Sequence, residues 1–293
     1  MKLGISSYSL VKYLRSGQMS LTEIIDWAAA EGHAQIEFAP IGYTFTDAPD
    51  FVAATARRVR DAGLEVSCYS IGADFMADDQ AERDAEVRRM MGEIDIAAAL
   101  GSRYLRHDIV SWSADPEQTS AANFDRLLPR LAESCRRTAR YAAERGVGIL
   151  VENHGQIMNG WERLVRLAQL VDDENFGLLT DMGNLWCVDD DPLVGVRRML
   201  PWTKHLHCKD FYRRPIAPEP PAPSGWFTSR GGYWLRGSVF GSGDLDVATI
   251  LRQVRAAGYD GYCSLEFEGM EEPEIAVRDS IASIAGHWEA AVG

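Results

Sequence analysis

Gly148-Ile-Leu-Val-Glu-Asn-His-Gly155 decides the fold. Its aliphatic run between two glycines reads as a strand buried on both faces, as in a parallel sheet, and it stops abruptly in a carboxylate, an amide and an imidazole. Three later runs stop the same way: Phe176-Gly-Leu-Leu-Thr at Asp181, Lys204-His-Leu at His207, and Tyr262-Cys-Ser-Leu at Glu266. Outward from these, strand and helix patterns alternate along the chain. Besides the opening run, strands are expected over 2–7, 35–38, 64–71, 104–107, 176–180, 203–207 and 262–266. Helices are expected over 21–31, where Ser20-Leu-Thr-Glu23 forms a capping-box pattern, and over 50–62, 81–100, 116–145, 161–171, 247–257 and 273–291, with a short one after Pro192. Gly32, Gly63, Gly101 and Gly146 follow four of them as stop signals.

Eight such alternations fit an α/β (β/α)₈ TIM barrel better than an open doubly wound sheet, because no GxGxxG phosphate loop follows the first strand. The 293 residues suit one such barrel, so a single domain over 1–293 is expected. Segment 211–244 breaks the rhythm. It carries Pro215, Pro218, Pro220, Pro221 and Pro223, then Trp226, Phe227, Tyr233 and Trp234, and ends near Gly241-Ser-Gly243. So long and aromatic a loop after the seventh strand reads as an active-site lid.

The formal net charge of −13 argues against nucleic acid, whose phosphates are neutralised by Lys and Arg. Cys68, Cys135, Cys187, Cys208 and Cys263 form no CxxC pair and lie mostly in apolar runs, so reduced thiols and a cytoplasmic location are expected. No apolar signal core opens the chain, and no run approaches the roughly 20 apolar residues of a membrane span, so no membrane partner is expected.

In a barrel of this kind the ends of the strands converge on one point, which brings Glu152, Asp181, His207 and Glu266 together. Three carboxylates and an imidazole make a hard, oxygen-rich site for one divalent ion, Mn²⁺ first, with Mg²⁺, Co²⁺ or Zn²⁺ also accommodated. An ion chelating neighbouring oxygens of a hydroxy-carbonyl compound acidifies the carbon-bound hydrogen between them and stabilises the enediolate. Glu152 and Glu266, from the fifth and eighth strands, would then serve both as ligands and as the acid/base pair. The expectation is a sugar isomerase or epimerase of carbohydrate metabolism. The same enediolate can expel a β-substituent, so a lyase dehydrating a keto-inositol or cleaving a 3-keto-glycoside is the alternative. A catalytically silent sugar-binding or assembly barrel is the alternative of another class.

Around this set, Glu37, His107 and Trp112 are candidate substrate contacts, and Trp186 and Trp226 candidate stacking platforms. Asn153 and His154 are expected to orient Glu152. Lys209 and Asp210 are expected to pair with each other, and Glu268 to face away from the barrel interior if its strand continues. The substrate is expected to be a small sugar or keto-polyol, and a homo-oligomer is compatible with the lid.

Val151-Glu-Asn-His154, Thr180-Asp-Met-Gly-Asn184, His205-Leu-His-Cys-Lys-Asp210, Gly241-Ser-Gly-Asp-Leu-Asp246 and Ser264-Leu-Glu266 occur in this order along the chain. With these motifs the whole chain resembles the xylose-isomerase-like barrel superfamily of sugar isomerases and epimerases, which is related in fold to endonuclease IV. The resemblance implies that His207 is the metal ligand and His205 is not. Ketose 3-epimerases of that superfamily carry a glutamate where this chain has Met158 and a histidine where it has Asn184, which argues against free-ketose epimerisation and leaves Asn184 as the substrate contact at that point. An arginine beyond the histidine ligand grips substrate hydroxyls in those relatives. Arg213 matches it by distance, and Arg236 by its neighbour Gly237 and the glycine motif. Endonuclease IV needs a histidine-rich trinuclear zinc site, for which six histidines, with His33 and His287 on helices or their turns, are too few.

Overall fold

The computed structural model describes residues 1–111, 115–215 and 224–291. In chain order its elements are β1 (Lys2–Ser6), α1 (Val11–Ser16), α2 (Leu21–Ala30), β2 (Gln35–Phe38), α3 (Pro49–Asp61), β3 (Glu65–Ile71) and α4 (Gln80–Leu100). There follow β4 (Tyr104–His107), α5 (Pro116–Thr119), α6 (Ala121–Ala143), β5 (Gly148–Glu152), α7 (Trp161–Val171), β6 (Phe176–Asp181) and α8 (Pro192–Met199). The chain ends with β7 (Thr203–Cys208), β8 (Asp210–Arg214), β9 (Phe227–Thr228), β10 (Trp234–Ser238), α9 (Val247–Ala256), β11 (Tyr262–Leu265) and α10 (Pro273–Ala290). Eight strands close in the order β1-β11-β7-β6-β5-β4-β3-β2, and the neighbours pair in parallel all the way round. The expected (β/α)₈ barrel is what forms.

Local chemistry sets the element ends. At α2, Ser20 Oγ accepts from the Glu23 amide at 3.3 Å and Glu23 Oε2 accepts from the Ser20 amide at 2.7 Å, so two otherwise orphaned donors are satisfied. Gly101, at φ 74°, closes α4 in a left-handed turn that a side chain would strain. The helix expected over 116–145 is two helices. Ser120 is extended, ends α5, and caps α6 through its Oγ, which accepts from the Asn123 amide at 3.2 Å. A serine that competes for backbone amides starts a new helix inside an apolar pattern that reads as continuous.

Segment 211–244 is not simply a loop. β8 pairs antiparallel with β10, which also pairs with β9, making a small sheet beside the barrel mouth. Gly237 in β10 bridges to Gly269, and a Cβ on Gly237 would come within 2.7 Å of the Glu268 backbone. Only a glycine lets the hairpin lie that close to the chain leaving β11.

The main core lies between barrel and helices, with Ile149, Val151, Leu178, Leu206 and Cys263 among its members. Inside the barrel, Cys68, Leu150 and Leu179 form a separate small cluster. Successive strand residues face opposite sides, so Leu150 and Glu152 point inward while Ile149 and Val151 point outward. The same parity sends Asp181 inward with Leu179. All five cysteines are free. Among the described residues no helix is long and apolar enough to cross a membrane.

Candidate metal centre and active site

Glu152 closes β5, Asp181 closes β6, His207 is the penultimate residue of β7, and Glu266 directly follows β11. His207 Nδ1 lies 3.4 Å from Glu152 Oε1, 3.8 Å from Asp181 Oδ2 and 3.7 Å from Glu266 Oε2. One ligand atom from each of the four residues falls within 4.8 Å of all the others. Two of those atoms, His207 Nδ1 and Asp181 Oδ2, are buried without a hydrogen-bond partner. Each such atom costs on the order of 1–3 kcal/mol if left unsatisfied. A divalent ion bound to one imidazole nitrogen and to carboxylate oxygens satisfies both, so the residues fit a metal.

The surroundings aim these four groups. Glu37 Oε2 accepts from His207 Nε2 at 2.8 Å and Ser70 Oγ donates to Glu37 Oε1 at 2.6 Å, which leaves Nδ1 as the ring atom facing the carboxylates. Burial alone would raise the Glu37 pKa, but the neighbouring His207 brings it down to about 2. Burial likewise disfavours a charge on His207, yet Glu37, Glu266 and Glu152 hold its pKa well above the ordinary value. A positive charge is favoured at this point. Asp181 Oδ1 accepts from the Gly183 and Asn184 amides, each at 2.8 Å, so only Oδ2 is free to turn to an ion. Glu152 Oε2 lies 2.6 Å from Arg106 Nη2, and Oε1 accepts from Asn184 Nδ2 at 2.9 Å. Burial would raise the Glu152 pKa, but Arg106 and His207 hold it well below the usual carboxylate range.

A cavity of about 440 Å³ opens over Glu152, His207 and Glu266, with Asp181 buried behind them, and its wall includes Tyr8, Arg106, Asp108, His154, Lys209 and Glu268. The structure differs from the sequence reading at several of the surrounding residues. Glu37 is fully buried beneath His207, not on the cavity wall. His107 faces the helices: its Nδ1 is 2.7 Å from the Asp108 carbonyl and its Nε2 lies 3.5 Å from Thr138 Oγ1 on α6. Its partner in register is the outward-facing Val151, and Arg106 takes the inward position. Asn153 holds the Asp181 backbone, donating to its carbonyl at 2.9 Å and accepting from its amide at 2.8 Å, and not Glu152. His154 Nδ1 pairs with Asp108 Oδ1 at 3.0 Å, and the same oxygen lies 3.0 Å from Arg106 Nη2, so His154 reaches Glu152 only through two other residues. Asn184 binds Glu152 and is absent from the cavity wall.

Neither lid arginine lines the cavity. The Arg213 guanidinium lies 3.8 Å from the Tyr233 ring centre and 3.5 Å from Asp189, and Arg236 lies 4.8 Å from the Tyr212 ring centre and 3.8 Å from Glu271. Trp186 stacks beneath Arg213 and Trp226 beside Arg236. Trp112 lies outside the described residues.

Lys209 does not pair with Asp210. Asp210 instead accepts from the amides of Gly241 and Gly243, both at 2.9 Å, and of Phe211 and Leu245, which ties the hairpin to the glycine turn. Lys209 turns into the cavity, where its Nζ lies 2.5 Å from Glu266 Oε2, 3.3 Å from Asp181 Oδ2 and 3.4 Å from Glu268 Oε2. Burial opposes its charge, but Asp181, Glu266 and Glu268 raise its pKa well above the ordinary value. Glu268 also faces the cavity and not away from the barrel interior as expected: residues two apart along an extended chain share a face, so Glu268 follows Glu266. Arg106 is a site residue that the sequence reading does not single out, and Lys209 one that it assigns to an ion pair with Asp210; each carries a signal, since Arg106 is inward by parity with Tyr104 and Lys209 lies two residues beyond His207.

These features define a (β/α)₈ barrel with a candidate metal centre at its mouth. A family model described as "Xylose isomerase-like TIM barrel" matches residues 25–287, and the chain belongs to that family. An inosose dehydratase of Clostridium perfringens is 26% identical over 149 residues, which are 50% of this chain and 48% of that protein. The chain therefore spans about half the length of the curated relatives it matches. Among solved structures, the probable 3-DHS dehydratase AsbF of Bacillus anthracis superposes with a TM-score of 0.74 at 18% identity, covering 97% of this chain and 99% of that one. An L-ribulose 3-epimerase superposes at 0.73 and 17% identity, covering 99% and 95%. An IolI protein with a bound zinc (0.73, 15% identity) and a barrel from Mycobacterium smegmatis in complex with magnesium (0.66, 18%) share the fold as well. At these identities the likeness to solved structures is one of fold.

Proposed function

We propose that this protein is a metal-dependent isomerase or epimerase that moves a proton on the carbon next to the carbonyl of a small polyhydroxylated compound. The observation that carries this reading is the pair of orphaned buried atoms, His207 Nδ1 and Asp181 Oδ2, facing Glu152 and Glu266 beneath the open cavity. Glu152, Asp181, His207 and Glu266 would hold one divalent ion. The oxygen-rich set favours Mn²⁺, with Mg²⁺, Co²⁺ and Zn²⁺ as the other fits. Bound there, the ion supplies Lewis acidity to neighbouring substrate oxygens.

The chain's own residues do the rest. Arg106 keeps Glu152 ionised, as a base must be. Glu152 and Glu266 project from non-adjacent strands, so one removes the proton and the other returns it to carbon or to a substrate oxygen. Glu37 fixes the His207 ring, and Asn153 fixes the end of β6. The volume of about 440 Å³ suits a ligand of monosaccharide size.

A lyase is the second reading, and Asn184 and Met158 favour it. Asn184 is bound to Glu152, and Met158 is buried. Neither is placed to grip a hydroxyl as the glutamate and histidine of ketose 3-epimerases do. The dehydratase names of the curated relatives and of one fold neighbour point the same way. In that reaction one carboxylate takes the proton, the C–H electron pair forms the new double bond, and the β-hydroxyl departs as water with a proton from an acidic group.

The test begins with metal content by mass spectrometry, as purified and after Mn²⁺ addition, with His207→Ala as control. Keto-inositols and keto-sugars are then incubated in heavy water. Deuterium uptake without loss of mass supports the isomerase, and loss of water supports the lyase. No tight ion in either preparation refutes both and leaves a binding barrel.

A further inference from the structure

Four side chains on the cavity wall can carry a positive charge, Arg106, His154, His207 and Lys209; beyond His207, which belongs to the ligand cluster, the other three differ in their partners. Both terminal nitrogens of Arg106 are held by fixed protein acceptors: Nη2 serves Glu152 Oε2 and Asp108 Oδ1, and Nη1 serves the Ile71 carbonyl at 3.3 Å and Asp108 Oδ2 at 3.4 Å, while Nε is buried without a partner. His154 gives its Nδ1 to Asp108. Lys209 is different. Its Nζ has four oxygens around it, Glu266 Oε2 at 2.5 Å, Asp181 Oδ2 at 3.3 Å, Asn184 Oδ1 at 3.3 Å and Glu268 Oε2 at 3.4 Å. Two of them, Glu266 Oε2 and Asp181 Oδ2, are the same carboxylate oxygens that face His207 Nδ1 in the ligand cluster. A carboxylate oxygen that shares a lone pair with a cation keeps less charge for the ammonium, so these two contacts would weaken once an ion were held. Asn184 and Glu268 would then be the full-strength acceptors, and two acceptors do not occupy three N–H donors. The side chain is buried apart from its opening onto the cavity, so the only route to a third acceptor is an atom inside that cavity.

We infer that Lys209 is a catalytic residue that donates a hydrogen bond to the substrate oxygen lying beside Glu266. This rests on the proton-transfer reading above and deepens it by assigning the group that neutralises charge on that oxygen as the adjacent carbon loses its proton. A fixed, buried donor aimed at developing charge strengthens in the transition state and needs no reorganisation. Glu268 and Asn184 are its positioning partners: they hold the ammonium in the cavity while Glu266 works. Lys209 thus gives a carbonyl or hydroxyl oxygen a second electrophile, and the pocket asks for an oxygen-rich, uncharged substrate, because the other cations are already paired.

The test uses full-length Mn²⁺-loaded protein with 2-keto-myo-inositol as probe, comparing wild type, Lys209→Met and Lys209→Arg. Bound Mn²⁺ is measured by mass spectrometry and its affinity by calorimetry, and hydrogen–deuterium exchange or water loss from the probe gives kcat and KM. The expected result is one Mn²⁺ retained in Lys209→Met, with kcat lowered by about 10²–10³-fold and KM changed far less, the pattern of a lost transition-state contact. Lys209→Arg, which keeps charge and donors, should recover part of the rate. Loss of the ion from both variants would overturn the inference, making Lys209 a brace for the ligand carboxylates, and so would an unchanged kcat in Lys209→Met. A wild type that holds its ion but neither exchanges nor dehydrates the probe or other keto-polyols would instead overturn the reading on which the inference rests.

Discussion

The barrel mouth and the hairpin beside it treat charged groups in opposite ways. In the hairpin, Arg213 stacks on Tyr233 and meets Asp189, while Arg236 stacks on Tyr212 and meets Glu271. The charge of each is matched by the protein itself. In the mouth, His207 Nδ1 and Asp181 Oδ2 make no hydrogen bond, and Asp181 Oδ2 and Glu266 Oε2 stand between His207 and the Lys209 ammonium, facing both. Matched cations beside aromatic rings are scaffolding. Unpartnered buried atoms occur in both regions, Arg213 Nε, Arg236 Nε and Glu271 Oε2 among them, but among the described residues only in the mouth do they fall within 4.8 Å of two further metal-type ligand groups.

The contrast is broken most directly at His207. His207→Ala should abolish stoichiometric metal binding, read by mass spectrometry, and with it all proton exchange; an unchanged metal content would make the mouth a self-contained network like the hairpin. Next in size, Glu152→Gln and Glu266→Gln should each lower solvent-deuterium exchange into a keto-polyol by about 10²–10⁴-fold, the usual contribution of a positioned acid or base. Equal activity in both variants and the wild type would remove the acid/base pair.

His107 tests the back wall of the same strand. Burial lowers its pKa to about 4, against about 6.5 in an unfolded chain. Between those values the unfolded state binds the extra proton, so the stability is fully present above pH about 6.5 and is lost as pH falls toward 4, by about 3 kcal/mol in all. Urea midpoints at pH 7.5 and 5 should therefore fall further in the wild type than in His107→Gln. An identical pH dependence in the two would mean that His107 is not the buried neutral group described.

Glu37→Gln should weaken metal affinity by about 10–100-fold, as the loss of a partner to a ligating histidine does, with the fold retained by circular dichroism. The smallest effects belong to the hairpin. Arg213→Ala or Arg236→Ala should cost no more than about 1 kcal/mol of stability, as for half-exposed ion pairs, and should leave KM nearly unchanged. A large rise in KM for either would restore it as a substrate contact and sharpen the contrast into one between the two arginines.

Much of the molecule was legible in the order of its residues. The alternation of strand and helix is written in local periodicity, and glycine stops and serine caps act on their own backbone, so barrel closure followed from short windows. Glu152, Asp181, His207 and Glu266 were legible because the fold rule sends strand ends to one rim. Residues off that rule were not. An imidazole at a strand end looks like chemistry, but a one-residue step turns His107 to the helices and Arg106 to the barrel interior. Ser120 hid a helix break inside an apolar pattern, and the prolines and glycines of 211–244 hid three strands.

By itself, then, the sequence determined the barrel, its strand ends and the kinds of donor gathered there, because each depends on interactions within a few residues. Only the closed tertiary structure decided that Glu37 serves His207 across 170 positions of chain, that Arg106 and Asn184 grip Glu152, and that Lys209 enters the cavity in place of pairing with Asp210. Those pairings are set by the circular order of the strands and by burial, which rewards whichever distant partner satisfies a charge taken out of water.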